Sequence, residues 1–127
     1  MLALLLAAAV PAPTTAIDAE RAFAAMAQAK GQWTAFRHYA APEGMMFVPE
    51  PVKAQEWLKD RKDPPQALRW SPTANFVSCD GSFAVNTGEW RGGKAAGYFT
   101  TLWQRKAVGG WHWLIDAGDT LATPRSR

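Results

Sequence analysis

The sequence predicts an α+β fold in which about three N-terminal helices pack on an antiparallel sheet, made of a short first strand and a four-strand meander. In the first half of the chain, apolar residues recur every three or four positions, as in amphipathic helices. From residue 68 onward, β-branched and aromatic residues alternate and glycine-bearing turns fall at short intervals. The 127 residues are 48% hydrophobic and 20% charged, a composition typical of one globular domain.

The first 16 residues are interpreted as a secretory signal. Residues 2–10 are all Leu, Ala or Val, Pro11 and Pro13 break the run, and small residues follow at positions 14–16. The run is well short of the ~20 apolar residues that cross a bilayer. The alternative is an apolar first helix of the domain, which the two prolines would separate from the rest. We therefore expect a signal peptide at 1–16, a domain at 17–122, a frayed tail at 123–127, and export to the periplasm or the medium.

Two helices are predicted next. Helix one spans residues 18–30, with Asp18 as its N-cap and Gly31 at its end. Helix two continues the same spacing from Trp33 to Ala40, and the segment is expected to close at Pro42-Glu43-Gly44.

A short strand and a third helix complete the first half. The apolar run at residues 45–48 is of strand length and lies between turn residues. Pro51 opens a helix with one apolar stripe, and Pro64-Pro65 ends it. The stripe consists of Ala54, Trp57, Leu58 and Arg61.

Four strands are predicted in the second half. Asp80-Gly81 supplies the positive φ angles of a tight hairpin turn between the first two. Glycine pairs mark the later turns, near residues 92–93 and 109–110. The strands span residues 68–79, 82–90, 95–106 and 111–119.

Charge and motifs exclude several functional classes. The net charge is +3, but basic and acidic residues are interleaved without a basic stripe, so no nucleic-acid partner is predicted. Cys79 is the single cysteine, which excludes an intramolecular disulfide and is read as a half-buried strand residue. The chain has no glycine-rich phosphate loop, no paired-histidine zinc motif and no nucleophile elbow. We therefore expect no metal and no cofactor.

Several segments resemble a known superfamily. They are residues 47–52 leading into a helix, Trp70-Ser71-Pro72 at the start of a long strand, residues 80–90, and the pair 98–103 with 110–116. These segments, and the order of elements, resemble the SnoaL-like branch of the nuclear transport factor two-like superfamily. The resemblance covers nearly the whole mature chain and implies a cone-shaped domain, in which a strongly curved sheet wraps a helix and leaves a partly apolar pocket. It also implies a homodimer.

Asp116 is the leading catalytic candidate. It interrupts the apolar run Trp113-Leu114-Ile115, where a carboxylate could enter the pocket with a raised pKa. In several enzymes of the superfamily a pocket Asp acts as base, but the partners used by the ketosteroid isomerases and the SnoaL-type cyclases do not match residue by residue. The alternative is an Asp that pairs with Arg105 or faces solvent.

The two histidines are weaker candidates. His38, on helix two, either reaches the pocket or is a half-exposed helical residue. His112 shares a strand face with Asp116, but four residues at about 3.3 Å each place them about 13 Å apart, too far for a dyad. Asp119 is expected on the opposite face from Asp116 in a regular strand, whereas a bulge at Gly118 would change this.

Three functional hypotheses follow. The leading one is an exported domain that binds a small, largely apolar molecule, through ligand-binding candidates Trp70, Glu89, Tyr98 and Trp103. The second is an enzyme with Asp116 as general base, drawing a proton from a carbon next to a carbonyl. The third is an interaction module that dimerises through the outer face of its sheet and has no ligand.

Overall fold

The computed structural model describes residues 11–123, so the predicted signal core at 2–10 and most of the predicted tail lie outside the described residues. Helices and strands follow the expected α+β order. In chain order they are α1 (Ala16–Lys30), α2 (Gln32–Tyr39), β1 (Ala40–Phe47), β2 (Pro51–Lys53), α3 (Ala54–Leu58), β3 (Arg69–Val77), β4 (Phe83–Gly92), β5 (Ala95–Lys106) and β6 (Gly110–Thr120). No helix within residues 11–123 is both long enough and apolar enough to cross a membrane.

The two long helices lie close to their predicted positions, with one correction at the start of α1. The N-cap is Thr15, whose hydroxyl accepts a hydrogen bond from the Asp18 backbone N–H at 3.2 Å. Asp18 instead lies in the first turn, where its charge suits the positive end of the helix. Gly31 ends α1 as expected, and with φ of 118° it also begins α2.

The six strands form one mixed sheet in the order β2-β1-β6-β5-β4-β3. The last four strands make the predicted antiparallel meander. The prediction of a wholly antiparallel sheet is wrong, because β1 lies parallel to β6. Strands β1 and β6 are separated by most of the domain in sequence, so β1 can occupy the free side of β6 in either direction.

The region between α2 and β3 departs furthest from prediction. Pro42-Glu43-Gly44 lies within β1 rather than in a closing turn, and the pairing of β1 with β6 is irregular there. Pro51 belongs to a short strand, and α3 ends at Leu58, well before Pro64-Pro65. Arg61 has left the helix, and its guanidinium stacks 3.4 Å over the Trp57 ring.

The hairpin between β3 and β4 has a wider turn than predicted. Only Gly81 has positive φ, at 74°, so the two-residue turn with positive φ at both positions is wrong. The Asp80 carboxylate instead accepts hydrogen bonds from the Ser82 N–H and hydroxyl and from the Ser78 hydroxyl. Cys79 lies exposed in this turn rather than half-buried in a strand.

A β-bulge in β6 sets which of its side chains face inward. Trp113 pairs with Trp103 on β5. The next pair joins Ile115 to Leu102, so Leu114 is the extra residue without a partner.

The bulge brings Asp116 to the inner face. Strict alternation from the buried Trp113 would place Ile115 inside, but beyond the bulge Asp116 stands opposite the fully buried Thr101. His112 and Asp116 therefore lie on opposite faces, and the prediction of a shared face is wrong. Asp119 lies opposite Tyr98, on the other face from Asp116, as predicted.

Phe23 of α1 is at the centre of the core against this inner face. Its side chain is fully buried, and α1 packs against both β3 and β4. Ring centroids lie 4.8 to 6.3 Å from that of Phe23 for Phe36, Tyr39, Trp70, Trp103 and Trp113. Most tryptophans thus serve the core first, as expected from their spacing.

Candidate functional site

The described residues enclose a cavity of about 280 Å³ between α2, the inner face of the sheet and the loop after β1. Six aromatic side chains form much of its wall: Trp33, Phe36, Phe47, Trp70, Trp90 and Phe99. Met46, Val48, Pro49, Leu68, Ala117 and Gly118 add apolar surface. The polar lining consists of Gln32, Asp116, Asp119 and Thr120. The cavity is therefore an aromatic chamber with its acidic groups on one strand, β6.

The local sequence explains how the wall is built. Trp33 and Phe36, three residues apart on α2, face the same side, with ring centroids 5.1 Å apart. Trp90 stands opposite Gly97 on β5, and a Cβ at Gly97 would overlap the Trp90 indole. Glycine at that position therefore leaves room for the tryptophan. The Gln32 side-chain oxygen accepts a hydrogen bond from the Leu68 N–H at 3.0 Å and so joins α2 to the strand-entry loop.

Asp116 is the inward carboxyl of the cavity. Its cross-strand neighbour on β5 is Thr101, and on the other side it stands beside Met46 of β1. The residue is half-buried because it opens on the cavity. No ion pair to Asp116 is formed by any basic side chain in the described part of the chain.

A second carboxyl, Glu20 of α1, lies behind the cavity wall and is fully buried. Its oxygens accept hydrogen bonds from the Trp103 indole N–H at 2.6 Å, the Trp70 indole N–H at 2.9 Å and the Asn86 amide at 3.2 Å. All three partners are donors to Glu20, which is the arrangement that an ionised carboxylate needs. The Trp70 ring, which lines the cavity, is therefore held in place by Glu20.

The two carboxyls influence each other. Burial raises the pKa of Glu20 above its usual value, and its hydrogen bonds from Trp103, Asn86 and Trp70 oppose that rise. Burial, followed by the charge of Glu20, raises the pKa of Asp116 to about 8. The side chain of Thr101, which is fully buried, lowers both pKa values. With a pKa of about 8, Asp116 holds a proton at neutral pH, and the three donors around Glu20 favour placing the charge of the pair on Glu20.

Comparison with known proteins finds no matching family model and no matching curated sequence. Solved structures do match. One is a ketosteroid isomerase candidate from Parabacteroides distasonis, with a TM-score of 0.67 at 12% identity, covering 86% of this chain and 90% of that one. A ketosteroid isomerase-like protein from Erwinia carotovora atroseptica has a TM-score of 0.63 at 12% identity, with coverages of 84% and 95%. A nuclear transport factor 2-like protein from Salmonella enterica has a TM-score of 0.62 at 11% identity, with coverages of 84% and 89%.

The chain has the nuclear transport factor 2-like fold. This likeness confirms the fold predicted from the sequence segments and leaves the activity to be argued from the site.

Within this nuclear transport factor 2-like fold, two of the predicted site residues line the cavity and four lie elsewhere. Asp116 and Trp70 are in its wall. Trp103 is fully buried and supports Glu20 from behind. Glu89 and Tyr98 are a cross-strand pair on the outer face, and Tyr98 lines a shallow depression there.

His38 lies away from the cavity. It is exposed at the end of α2 and lines a separate depression that also includes His112. Arg105, the sequence-based alternative partner of Asp116, stands opposite Trp111 and lies over that ring at 5.9 Å. The pairing of Asp116 with Arg105 is therefore wrong.

Sequence reasoning missed Glu20, Asn86 and Thr101. Glu20 follows Ala16 by four residues and precedes Phe23 by three, so it lies on the buried stripe of α1. A charged residue at a core position of a helix is the signal that would have identified it. Asn86 and Thr101 are polar residues at inward positions of their strands, where the pattern of neighbours is otherwise apolar or small.

Proposed function

We propose that this protein binds a small, largely apolar molecule in the aromatic cavity. The observation that carries the proposal is the lining itself, in which six aromatic rings surround a space with one inward carboxyl, Asp116. Ligand sites are usually concave and mostly apolar with a few placed polar groups, and the volume of about 280 Å³ lies near the lower end of their range. A flat molecule of two fused rings suits such a space.

Filling the cavity tests the proposal. Val48 lines it, and Val48→Trp places an indole in the space that a ligand would use. Val108→Trp is the matched control, because Val108 is 90% exposed in the turn between β5 and β6. Calorimetric titration with 2-naphthylmethanol, a neutral bicyclic probe, is expected to detect binding to the wild type and the control and none to Val48→Trp. If the wild type and both folded variants bound the probe equally well, the ligand site would lie outside this cavity.

A second candidate function is proton transfer by Asp116, favoured by its position in the cavity wall. A general base must be ionised, and the pKa of about 8 means that the carboxylate fraction rises as pH increases toward and past 8. The test is hydrogen–deuterium exchange at the carbon next to the carbonyl of 2-tetralone, followed by NMR. An enzyme would accelerate exchange increasingly from pH 6 to 9, and Asp116→Asn would abolish the acceleration. Exchange at the buffer rate would reject this function and leave the binding proposal intact.

Export is a further part of the proposal, and it rests on the sequence of residues 1–16. The helix α1 begins at Ala16, whose carbonyl accepts a hydrogen bond from the Asn86 amide at 3.0 Å. Cleavage after Ala16 would remove that contact and the Thr15 cap. N-terminal sequencing of protein from its own host tests this: a start near Ile17 supports export, and a start at Met1 rejects it.

Self-association is proposed through the outer face of the sheet. One row of apolar side chains runs across five strands there, with the cross-strand pairs Phe76 to Val85, Val85 to Leu102, Leu102 to Ile115 and Ile115 to Met45. Such a row matches the apolar centre of an interface between two copies. The same protein can therefore bind a ligand on one face of its sheet and a second copy on the other.

A further inference from the structure

The cavity and its surroundings carry acidic groups without a basic counterpart. Asp116 and Asp119 line it, and no Lys, Arg or His is in its lining among the described residues. Glu20 adds a third carboxyl behind the wall. The local charge is therefore negative in a chain whose net charge is +3.

The buried Glu20 makes this excess of acidic over basic groups significant. A fully buried glutamate is normally paired with a cation, because an isolated charge is costly to remove from water. Here three N–H donors satisfy its oxygens, but no ion pair to it is formed within residues 11–123. The cavity next to it is the place where a counter-charge can be supplied from outside.

The aromatic wall suits a cation as well as an apolar body. The faces of tryptophan and phenylalanine rings attract ammonium groups, and the attraction grows when water is excluded. Trp33, Trp70 and Trp90 surround the cavity that Asp116 enters from β6. A molecule with an apolar body and a charged amine would satisfy both the rings and the carboxyl.

We propose that the ligand of this cavity is a small apolar amine, bound as its ammonium ion with the Asp116 carboxylate and the tryptophan rings. This inference rests on the proposed ligand-binding function and specifies its chemical class. Since Asp116 holds a proton at neutral pH, binding of the ammonium ion releases that proton to the solvent, and the ammonium forms an ion pair with the Asp116 carboxylate.

The groups that face Asp116 determine how amine affinity depends on pH. Helix α1 contributes the Glu20 carboxyl, and α2 contributes the buried Tyr39 phenol to the same core. Strands β1 and β5 place Met46 and Thr101 beside it, and neither side chain carries a charge. Amine affinity is therefore expected to rise with pH until Asp116 is fully ionised.

Three naphthalene probes of similar size test the inference: 2-naphthylmethylamine, 2-naphthylmethanol and 2-naphthoic acid. The affinities of the three probes are measured by calorimetry at pH 6, 7 and 8. At pH 8 the amine is expected to bind about tenfold or more tightly than the alcohol, and the acid is expected to bind most weakly. At pH 6 the difference in affinity between the amine and the alcohol should be smaller. Titration of the wild type at pH 7 in phosphate and in Tris, which differ in ionisation enthalpy, is expected to show proton release with the amine and none with the alcohol.

Asp116→Asn is expected to remove the amine preference, whereas Asp60→Asn, at an exposed position outside the cavity lining, is expected to keep it. An alcohol that binds as tightly as the amine at every pH would overturn the amine assignment and leave the binding function standing. The absence of binding by all three probes would overturn the binding function itself. If Asp116→Asn does not fold, the proton-release measurement on the wild type decides: no release with the amine overturns the inference.

Discussion

Asp116 and Glu20 form a buried acidic pair in which the surroundings assign the proton. Three donors converge on Glu20, whereas Asp116 has the Thr101 hydroxyl and the Glu20 carboxyl as its polar neighbours. Like charges at close range favour one shared proton over two carboxylates. The three donors favour a charge on Glu20, the better hydrogen-bonded member, and Asp116 is the member whose protonation can respond to a ligand.

Stability is expected to depend on pH through Asp116. Its pKa rises from 3.8 to about 8 on folding, so between these values the native state holds a proton that the unfolded state has lost. The stabilisation that Asp116 provides is full below about pH 4 and is lost as pH rises to about 8.

Urea denaturation at pH 5, 6, 7 and 8 measures this effect. The free energy of unfolding of the wild type is expected to fall by up to about 1.4 kcal/mol per pH unit from Asp116 alone. Asp116→Asn should flatten the slope, and Asp119→Asn should retain it. An unchanged slope in Asp116→Asn would mean that Asp116 keeps an ordinary pKa in the folded protein.

The charge on Glu20 can be tested separately. Glu20→Gln removes the negative charge that helps to raise the pKa of Asp116, so the pKa of Asp116 is expected to fall. Carbon-13 NMR titration of the aspartate carboxyls measures it, with circular dichroism to confirm folding. Glu56→Gln, on the exposed side of α3, is the matched control and should leave the pKa of Asp116 unchanged. An unchanged value in Glu20→Gln would indicate that Glu20 is itself protonated.

At the residue scale, the sequence could identify Asp116 but not its orientation. A carboxyl that interrupts Trp113-Leu114-Ile115 stands out, whereas alternation counted from Trp113 points Ile115 inward. The bulge at Leu114 shifts the alternation by one residue, so that Asp116 rather than Ile115 faces inward. A bulge depends on how two strands pair, so periodicity along one strand does not reveal it.

At the element scale, Asp63 stands out because it caps a helix from a distant loop. The N-cap of α2 is Gly31, which has no side chain to cap the helix. The Asp63 carboxylate accepts hydrogen bonds from the Thr34 N–H at 2.9 Å and from the Thr34 hydroxyl at 2.6 Å. Burial raises the pKa of Asp63, but these hydrogen bonds outweigh it and hold the pKa below its usual value. The charge also suits the positive end of the helix.

Loss of this cap is expected to weaken the cavity wall. Asp63→Ala removes both hydrogen bonds from the start of the helix that carries Trp33 and Phe36, and should lower the free energy of unfolding by about 1 kcal/mol. Asp60→Ala, at an exposed position in the same loop, is the control and should have little effect. Urea denaturation compares the two variants. Equal stabilities would show that Gly31 starts α2 without help from Asp63.

Element prediction succeeded where signals were local and failed where pairing was distant. Strand β5 was predicted with its observed bounds because glycine turns define both ends. Strand β1 was misjudged because its residues 40–44 extend along β6, which lies some 70 positions later. Pro51, similarly, is typical of a helix start, whereas pairing with β1 places it in β2.

At the scale of the whole molecule, the sheet has two chemically different faces. The inner row Asn75, Asn86, Thr101 and Asp116 is polar, and it lies one step along the strands from the apolar outer row that ends at Ile115 and Met45. Phe76, Ile115 and Met45 are 66%, 39% and 39% exposed, so much of that row is open in a single copy. The side of the sheet that faces away from the aromatic cavity is thus the one suited to a partner.

A charge placed in the outer row is expected to separate two copies. Ile115→Lys puts an ammonium within the row, where burial against a second apolar row would leave it unpaired. Light scattering after gel filtration should give twice the mass of the purified chain for the wild type and the mass of one chain for this variant. Val108→Lys is the control, since Val108 is more exposed but lies in a turn away from the row, and it should remain dimeric. A monomeric wild type would reject the proposed interface. A dimeric Ile115→Lys variant would show that the interface lies on another surface, because an apolar face of this kind tolerates no buried lysine.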